Sequence, residues 1–264
     1  MARRPLIALL TDFGTRDHYA AAMKGVVLDI CPDVTLVDIT HDIPPHDILG
    51  AALELAAVTK YFPRGTIFLT VVDPGVGTGR QGLAVEGAES YFVAPDNGVL
   101  TLALRATPPK RIVDLTQRRY ARPSVSRTFE GRDRFAPAAA WLAKGVDLAA
   151  LGRPVHEWQE IAVPEAEVTG GTATGTVLRV DRFGNLVTNI DRRTFERIAA
   201  DGRIQLTVGG HPVERVVDTY AEAGASEVCA LFGSTEHLEI AVNGGSAAET
   251  LALGRGAPVE LAPA

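Results

Sequence analysis

Cysteine is nearly missing from this chain: Cys31 and Cys229 are the only two in 264 residues, far apart and outside any CxxC spacing. That excludes a disulfide framework and a thiolate metal site, and we read both as reduced, packed thiols. Positive charge is in deficit as well, with 26 Lys and Arg against 32 Asp and Glu, a net charge of −6, and the two signs mixed along the chain. No basic stripe is available to follow a phosphate backbone, so nucleic acid is not an expected partner. No apolar run approaches the about 20 residues that span a bilayer, and no membrane partner is expected. Met1-Ala2-Arg3-Arg4 followed by Pro5 to Leu10 imitates a signal peptide, but its apolar part is short and runs into Thr11-Asp12-Phe13-Gly14 without a cleavage site. It reads as the first strand of a cytoplasmic protein. GxxxxGK[ST], GxSxG and HExxH are all absent, and although Gly77-Thr78-Gly79-Arg80-Gln81-Gly82 spells GxGxxG, no helix clearly follows it, which leaves no dinucleotide, serine-hydrolase or zinc-protease signature in context.

What remains is an ordinary globular composition, 46% hydrophobic and 22% charged, with chemistry-bearing residues gathered on loops. The most informative stretch is Val71-Val72-Asp73-Pro74-Gly75-Val76-Gly77-Thr78-Gly79-Arg80. The apolar, β-branched run from Thr66 to Val72 reads as a buried strand that breaks at Asp73-Pro74 into a glycine-rich loop. A carboxylate just past the carboxyl end of a strand in an open α/β sheet lies where ligands bind, so Asp73 is a site candidate by position. The loop is long enough to fold back and set the Arg80 guanidinium beside Asp73. The competing reading is a tight turn with a solvated Arg.

Strand, loop and helix alternate through the first half. Leu6 to Leu10, Val34 to Ile39 and Thr66 to Val72 read as strands, and helical spacing occupies Asp17 to Ile30 and Ile48 to Tyr61, with Asp47 near the start of the second helix. Such alternation predicts parallel βαβ units with right-handed crossovers. Gly82 to Glu86 and Tyr91 to Ala94 read as a hairpin or adjacent strands, Arg111 to Leu115 as a further strand, and Arg134 to Lys144 as a helix capped by Asp133. From Leu151 to Thr169 the texture changes, and short β-like runs follow: 175–180, 186–190, 204–208, 213–217, 228–231, 238–242 and 259–261, with a short helix at 194–199. The expected class is α/β: an amino-terminal α/β domain with a mainly parallel central sheet over residues 1–160, and a smaller carboxyl-terminal β-barrel domain over 161–264.

The amino-terminal loops carry Asp12, Asp17, His18, His41, Asp42, His46, Asp47, Asp73 and Asp96, types that suit one or two divalent metals for hydrolysis. The alternative is helix capping and loop closure, and the Ile-Pro-Pro between His41 and His46 does not fix them on one helix face. Downstream, Asp181-Arg182-Phe183-Gly184-Asn185 offers an acid, an aromatic ring and an amide. It reads either as a binding loop or as a turn with Gly184 at positive φ.

Six ordered stretches resemble one family, the S-adenosyl-L-methionine (SAM) hydroxide adenosyltransferases, or SAM hydrolases, related to the adenosyl-fluoride and adenosyl-chloride synthases. They are Leu10-Thr11-Asp12-Phe13-Gly14, Val72-Asp73-Pro74-Gly75-Val76-Gly77 with Arg80, Ala94-Pro95-Asp96-Asn97-Gly98, Phe129-Glu130-Gly131-Arg132-Asp133, Asp181-Arg182-Phe183-Gly184-Asn185, and Leu238-Glu239-Ile240-Ala241-Val242-Asn243-Gly244-Gly245-Ser246.

The resemblance implies a homotrimer with active sites between neighbouring subunits, no metal and no cofactor. It also implies a one-step in-line displacement in which water or hydroxide attacks the ribose 5′ carbon of SAM, the substrate, to give adenosine and L-methionine. It assigns Asp12 to the ribose hydroxyls, Asp181 and Ser234 to the methionine amino and carboxylate groups, and Asn185 with the backbone of Val242, Asn243 and Gly244 to the adenine edge. Tyr220 stacks on adenine, and Phe129, Phe183 and Glu239 complete the substrate-binding set.

For water, the resemblance implies an Asp-Arg-His set matched by Asp73 and Arg80, but Glu130 stands where the His is expected. A carboxylate can take a proton from water, although its ordinary pKa of about 4.3 makes it a weaker base than His. Three other readings stand beside hydrolysis. One is a SAM- or adenosine-binding protein whose catalysis was lost with the His, and another is a metal-dependent hydrolase. The third, a halide synthase, is disfavoured by two acids where a halide needs donors, and by the short segment between Arg80 and Pro95.

Overall fold

The apolar run that opens the chain forms β1 (Leu6–Thr11), with Ile7 and Leu9 packed on one face of a sheet and Ala8 and Leu10 on the other. Both faces are covered, which is why the run is continuously hydrophobic rather than alternating. The computed structural model describes residues 4–200 and 202–264; Met1, Ala2 and Arg3 of the signal-like stretch, and Asp201, lie outside the described residues. The chain divides into two compact units, Met1–Ile161 and Ala162–Ala264.

In the first unit β1 is followed by α1 (Tyr19–Ile30), β2 (Thr35–Thr40), α2 (Ile48–Thr59), β3 (Ile67–Val71), β4 (Gly82–Glu86), β5 (Tyr91–Pro95), α3 (Thr101–Ala106), β6 (Arg111–Asp114), α4 (Ala136–Ala143) and β7 (Arg153–Pro154). The sheet order is β2-β1-β3-β5-β4-β6-β7. Pairing is parallel from β2 to β5 and antiparallel from β5 to β7, so the sheet is half parallel rather than mainly so. Helix α1 packs with α4 on one face, over a core that includes Met23, Val27 and Ala139, and α2 with α3 on the other, over a core that includes Leu55 and Leu104. Asp47 caps α2, accepting from the Gly50 N–H at 3.0 Å.

The expected helix cap is not one. Asp133 caps nothing: it is fully buried, bonded by Arg132 and the Ser126 N–H, inside a single π-helical turn over Gly131–Phe135 that runs into α4. π-helical turns of this kind recur at functional sites.

The second unit holds β8 (Glu167–Thr169), β9 (Thr172–Val180), β10 (Leu186–Asp191), α5 (Arg192–Ala199), β11 (Ile204–Val208), β12 (His211–Pro212), β13 (Val228–Phe232), β14 (His237–Val242), α6 (Ala247–Leu251) and β15 (Pro258–Pro263). They form a curled sheet of order β12-β11-β15-β9-β10-β14-β13, with β8 on β9, around a core that includes Val177, Leu186, Ile240 and Leu261. The run 213–217 is no continuous strand. Val213 donates to Leu206 O, but Arg215 O and the Val217 N–H pair with Ala230, so the segment changes partners after two residues.

Candidate active site

The order β2-β1-β3 means the chain leaves β1 to one side and returns on the other, so the carboxyl ends of β1 and β3 flank the point where the strand order reverses. Open α/β sheets bind ligands there. The register pairs Thr11 with Val71, and Asp12 and Asp73 therefore leave the sheet side by side. Between them opens a cavity of about 330 Å³ whose lining includes Asp12, Phe13, Tyr19, His46, Asp73, Phe129 and Glu130.

The glycine loop after β3 is made of two successive turns, Val76 N–H to Asp73 O and Thr78 N–H to Gly75 O. Gly77, at φ +79°, fits because a Cβ there would lie 2.4 Å from Arg127 O. The turns bring Arg80 back onto Asp73: Nε donates to Oδ1 at 2.7 Å, Nη2 to Oδ2, and the same Nη2 to Glu130 Oε2 at 2.8 Å. The guanidinium also lies over the Phe135 ring, 5.1 Å from its centroid. The three side chains are 6 to 13% exposed. Asn97 fixes the strand end from behind by donating to Val72 O at 2.8 Å.

Burial pushes the Asp73 carboxyl above its ordinary range, and the charge of Glu130 adds to this against the pull of Arg80. Burial also works against the Arg80 charge, but the bonds and charges of Asp73 and Glu130 outweigh it and hold the guanidinium protonated.

Asp12 accepts the His46 N–H at 2.9 Å, which ties the two loops at the cavity mouth. Phe13, Tyr19 and Phe129 form an aromatic wall with centroids 5.2 to 5.8 Å apart. Phe13 lies in the stretch Leu10 to Gly14 and Tyr19 begins α1, and neither ring carries a site signal of its own in the sequence.

The acids and histidines weighed as metal ligands serve other purposes where partners are seen. His41 bonds Thr11 Oγ1 at 2.8 Å, Asp47 caps α2, and Asp96 accepts the Gln159 N–H at 2.8 Å. Among the described residues no three His, Cys, Asp or Glu converge as a ligand set.

In the second unit the loop after β9 closes on Asp181. Its Oδ1 accepts the N–H groups of Phe183 at 2.8 Å and Asn185 at 2.9 Å, while Oδ2 accepts Asn185 Nδ2 at 3.0 Å. Gly184 takes φ +84°, and a Cβ there would fall 2.1 Å from Ser246 Oγ. Turn and polar cluster are thus one object. Asn185 is buried, and its Nδ2 also reaches Tyr220 OH at 3.3 Å.

Glu239 is 7% exposed and its carboxylate lies over Gly233, where a Cβ would come within 1.8 Å of Oε1. Burial pushes Glu239 up, and the charge of Asp181 adds to it. Burial raises the Tyr220 phenol as well, with Glu239 and Asp181 adding. Ser234 is exposed on the β13–β14 connection, and Phe183 is 77% exposed. Val242 ends β14, Asn243 donates Nδ2 to Ala223 O at 2.7 Å, and Gly244 turns the chain at φ +75°.

Known proteins are similar to this one along nearly the whole chain. A relative from Thermus thermophilus named (R)-S-adenosyl-L-methionine hydrolase is 41% identical, covering 97% of this chain and 98% of its own. A Salinispora tropica protein of the same name is 38% identical over 95% of each chain. A fluorinase from an Actinoplanes species is more distant, 31% identical over 83% of this chain and 84% of its own. Among solved structures, an uncharacterized conserved protein from Thermotoga maritima superposes with a TM-score of 0.91 at 34% identity, covering 97% of this chain and 99% of that one. The model of the SAM hydroxide adenosyltransferase N-terminal domain matches residues 7–152 and that of the C-terminal domain residues 175–260. With both domain models matched and relatives aligned over nearly its full length, the chain belongs to the SAM hydroxide adenosyltransferase family.

Proposed function

We propose that this protein hydrolyses SAM to adenosine and L-methionine, without a metal or cofactor, by in-line attack of water on the ribose 5′ carbon. The observation that carries the reading is the buried Arg80 guanidinium bonded at once to Asp73 and Glu130 against the cavity at the ends of β1 and β3. The relatives named (R)-S-adenosyl-L-methionine hydrolase, at 41%, 38% and 35% identity, support the same substrate.

In this reading Asp73 and Arg80 fix a water molecule and Glu130 accepts its proton. The water oxygen forms a bond to C5′ as the C5′–S bond breaks, and the sulfonium leaves as the neutral thioether of methionine. One proton is released per turnover, from the carboxylate to solvent. Such an arrangement works by orientation and by removal of a proton as charge develops on the attacking oxygen.

Asp12 holds the ribose hydroxyls. Asp181 and Ser234 take the methionine amino and carboxylate groups, and Asn185 with the backbone at Val242 to Gly244 reads adenine beside Tyr220. Polar groups that would be left unpaired with a truncated substrate give selectivity for intact SAM. The two units serve as an α/β domain and a barrel-like domain of a cytoplasmic homotrimer with active sites between neighbouring subunits. The exposed Phe183 and the 43% exposed Tyr220 are surfaces a second subunit would cover. Light scattering tests the trimer.

The functional test is incubation of the purified protein with SAM in the presence of EDTA. Adenosine and methionine should appear in equal amounts. SAM retained without turnover would instead indicate a binding protein, and turnover abolished by EDTA a metallohydrolase.

A further inference from the structure

The carboxylate that replaces the expected His is held from two sides. Arg80 Nη2 donates to Glu130 Oε2 at 2.8 Å, and Arg134 Nη1 approaches the same oxygen at 3.4 Å. Both cations converge on Oε2, and among the described residues no donor reaches Oε1 of this cavity-lining side chain. Arg134 is itself anchored: Nε donates to Leu115 O at 3.0 Å and Nη2 to Asp114 Oδ1 at 3.1 Å, while Asp114 Oδ1 also accepts the Gly82 N–H at 3.2 Å. Gly82 leaves room for this, since a Cβ there would lie 3.3 Å from Arg134 Cζ and 2.6 Å from the Phe135 ring.

The charges alternate in sign along Asp73, Arg80, Glu130, Arg134 and Asp114, and the chain of contacts ends on the last residue of β6. Without Arg134, Asp73 and Glu130 would compete for one guanidinium, and two partly buried carboxylates sharing a site repel. A planar, anchored guanidinium fixes a carboxylate in a way a flexible ammonium does only in part.

We infer that Arg134 is a positioning residue for water activation. It neutralises and orients Glu130 so that Oε2 faces the two arginines and Oε1 is left for the water proton. The inference rests on the SAM hydrolase reading and on Glu130 acting as the proton acceptor.

A double-mutant cycle on the full-length protein tests it, using Arg134→Met, Glu130→Ala and the pair, with SAM as substrate and adenosine as readout. Arg134→Met should lower kcat by about 10- to 100-fold, the range expected when a reacting group is misplaced by an ångström, and leave the KM for SAM within about twofold. Arg134→Lys, which keeps the charge but not the fork, should recover part of the loss; it also carries the test if Arg134→Met does not fold. In the Glu130→Ala background the Arg134 substitution should change kcat by less than about twofold, because residues acting as a unit are not additive. Two losses that multiply in the double variant, or a loss that appears in KM instead of kcat, would overturn the role of Arg134. Absence of adenosine from the wild-type control would overturn the hydrolase reading itself.

Discussion

Arg80 donates to Glu130 at 2.8 Å although the two lie 50 residues apart in sequence, and the nitrogen that does so also meets Asp73. One guanidinium thus satisfies two carboxylates that are 6 and 13% exposed. Replacing it should damage fold and function together. Arg80→Ala leaves Asp73 buried without its cation and Glu130 with only the longer contact to Arg134, and we expect a loss of about 3–5 kcal/mol in urea unfolding, the usual consequence of breaking a buried pair from one side. Adenosine formation should fall by at least about 100-fold. Arg80→Lys should restore stability in part and turnover little, since a lysine cannot reproduce the fork on Asp73. A fully active Arg80→Lys would show that the bidentate geometry is not needed.

Glu130 separates proton acceptance from charge placement. Glu130→Ala should lower kcat at every pH between 5 and 9, by about 10²-fold or more if the carboxylate takes the water proton. Glu130→His restores the residue type that the family resemblance implies. Its rate should rise with pH across the imidazole range, about 6 to 7, as the ring loses its proton and becomes a base. Wild-type activity of Glu130→Ala across that range would remove Glu130 from the mechanism.

Asp133 is fully buried. Its burial raises the carboxyl pKa, but the Arg132 bonds, the Ser126 N–H and the Arg122 charge outweigh it, so the carboxyl lies below its ordinary value of 3.8. A depressed carboxylate stabilises the fold above its unfolded pKa, and the contribution is lost as pH falls through the folded value. Asp133→Asn should therefore cost about 3 kcal/mol at pH 7, and the gap to wild type should close as the pH is lowered below 3.8. Thermal midpoints of both proteins from pH 7 to pH 3 check this. An undiminished gap at pH 3 would mean that packing, not charge, makes Asp133 necessary.

Much of the first unit is legible in sequence because both sheet faces are covered, which writes strands as uninterrupted apolar runs and helices as 3.6-residue spacing. Strand direction is not written in the same way. Leu83 and Val93 are both buried, on neighbouring strands that run in opposite directions, and nothing in their side chains tells which strand continues the parallel set. That is why the half-antiparallel sheet reads as mainly parallel.

Asp133 reads as a cap because acids at helix starts usually are, and the π-helical turn that buries it has no pattern of its own. The pairing of Asp73 with Arg80 is anticipated by loop length. Arg134 carries one signal, its place four residues after Glu130, which without the fold is an unremarkable i, i+4 pair on a helix surface.

The loop at Asp181 offers a steric test. Gly184 holds φ +84°, and a Cβ would collide with Ser246. Gly184→Ala should cost at least about 1–2 kcal/mol for the left-handed backbone and should loosen Asn185. SAM affinity, measured by calorimetry with the turnover-poor Arg80→Lys protein as background, should weaken about tenfold or more, consistent with a polar partner lost from a buried group. Unchanged affinity would place the ligand elsewhere.

Attack of water on the ribose 5′ carbon is tested most directly by isotope labelling. Purified protein is incubated with SAM in H₂¹⁸O and the products are examined by mass spectrometry. Adenosine should carry one ¹⁸O on its 5′ hydroxyl, with unlabelled methionine in equal amount, and Arg80→Ala should give at least about 100-fold less of it. Unlabelled adenosine, label in methionine, or SAM recovered intact would contradict attack of water at that carbon.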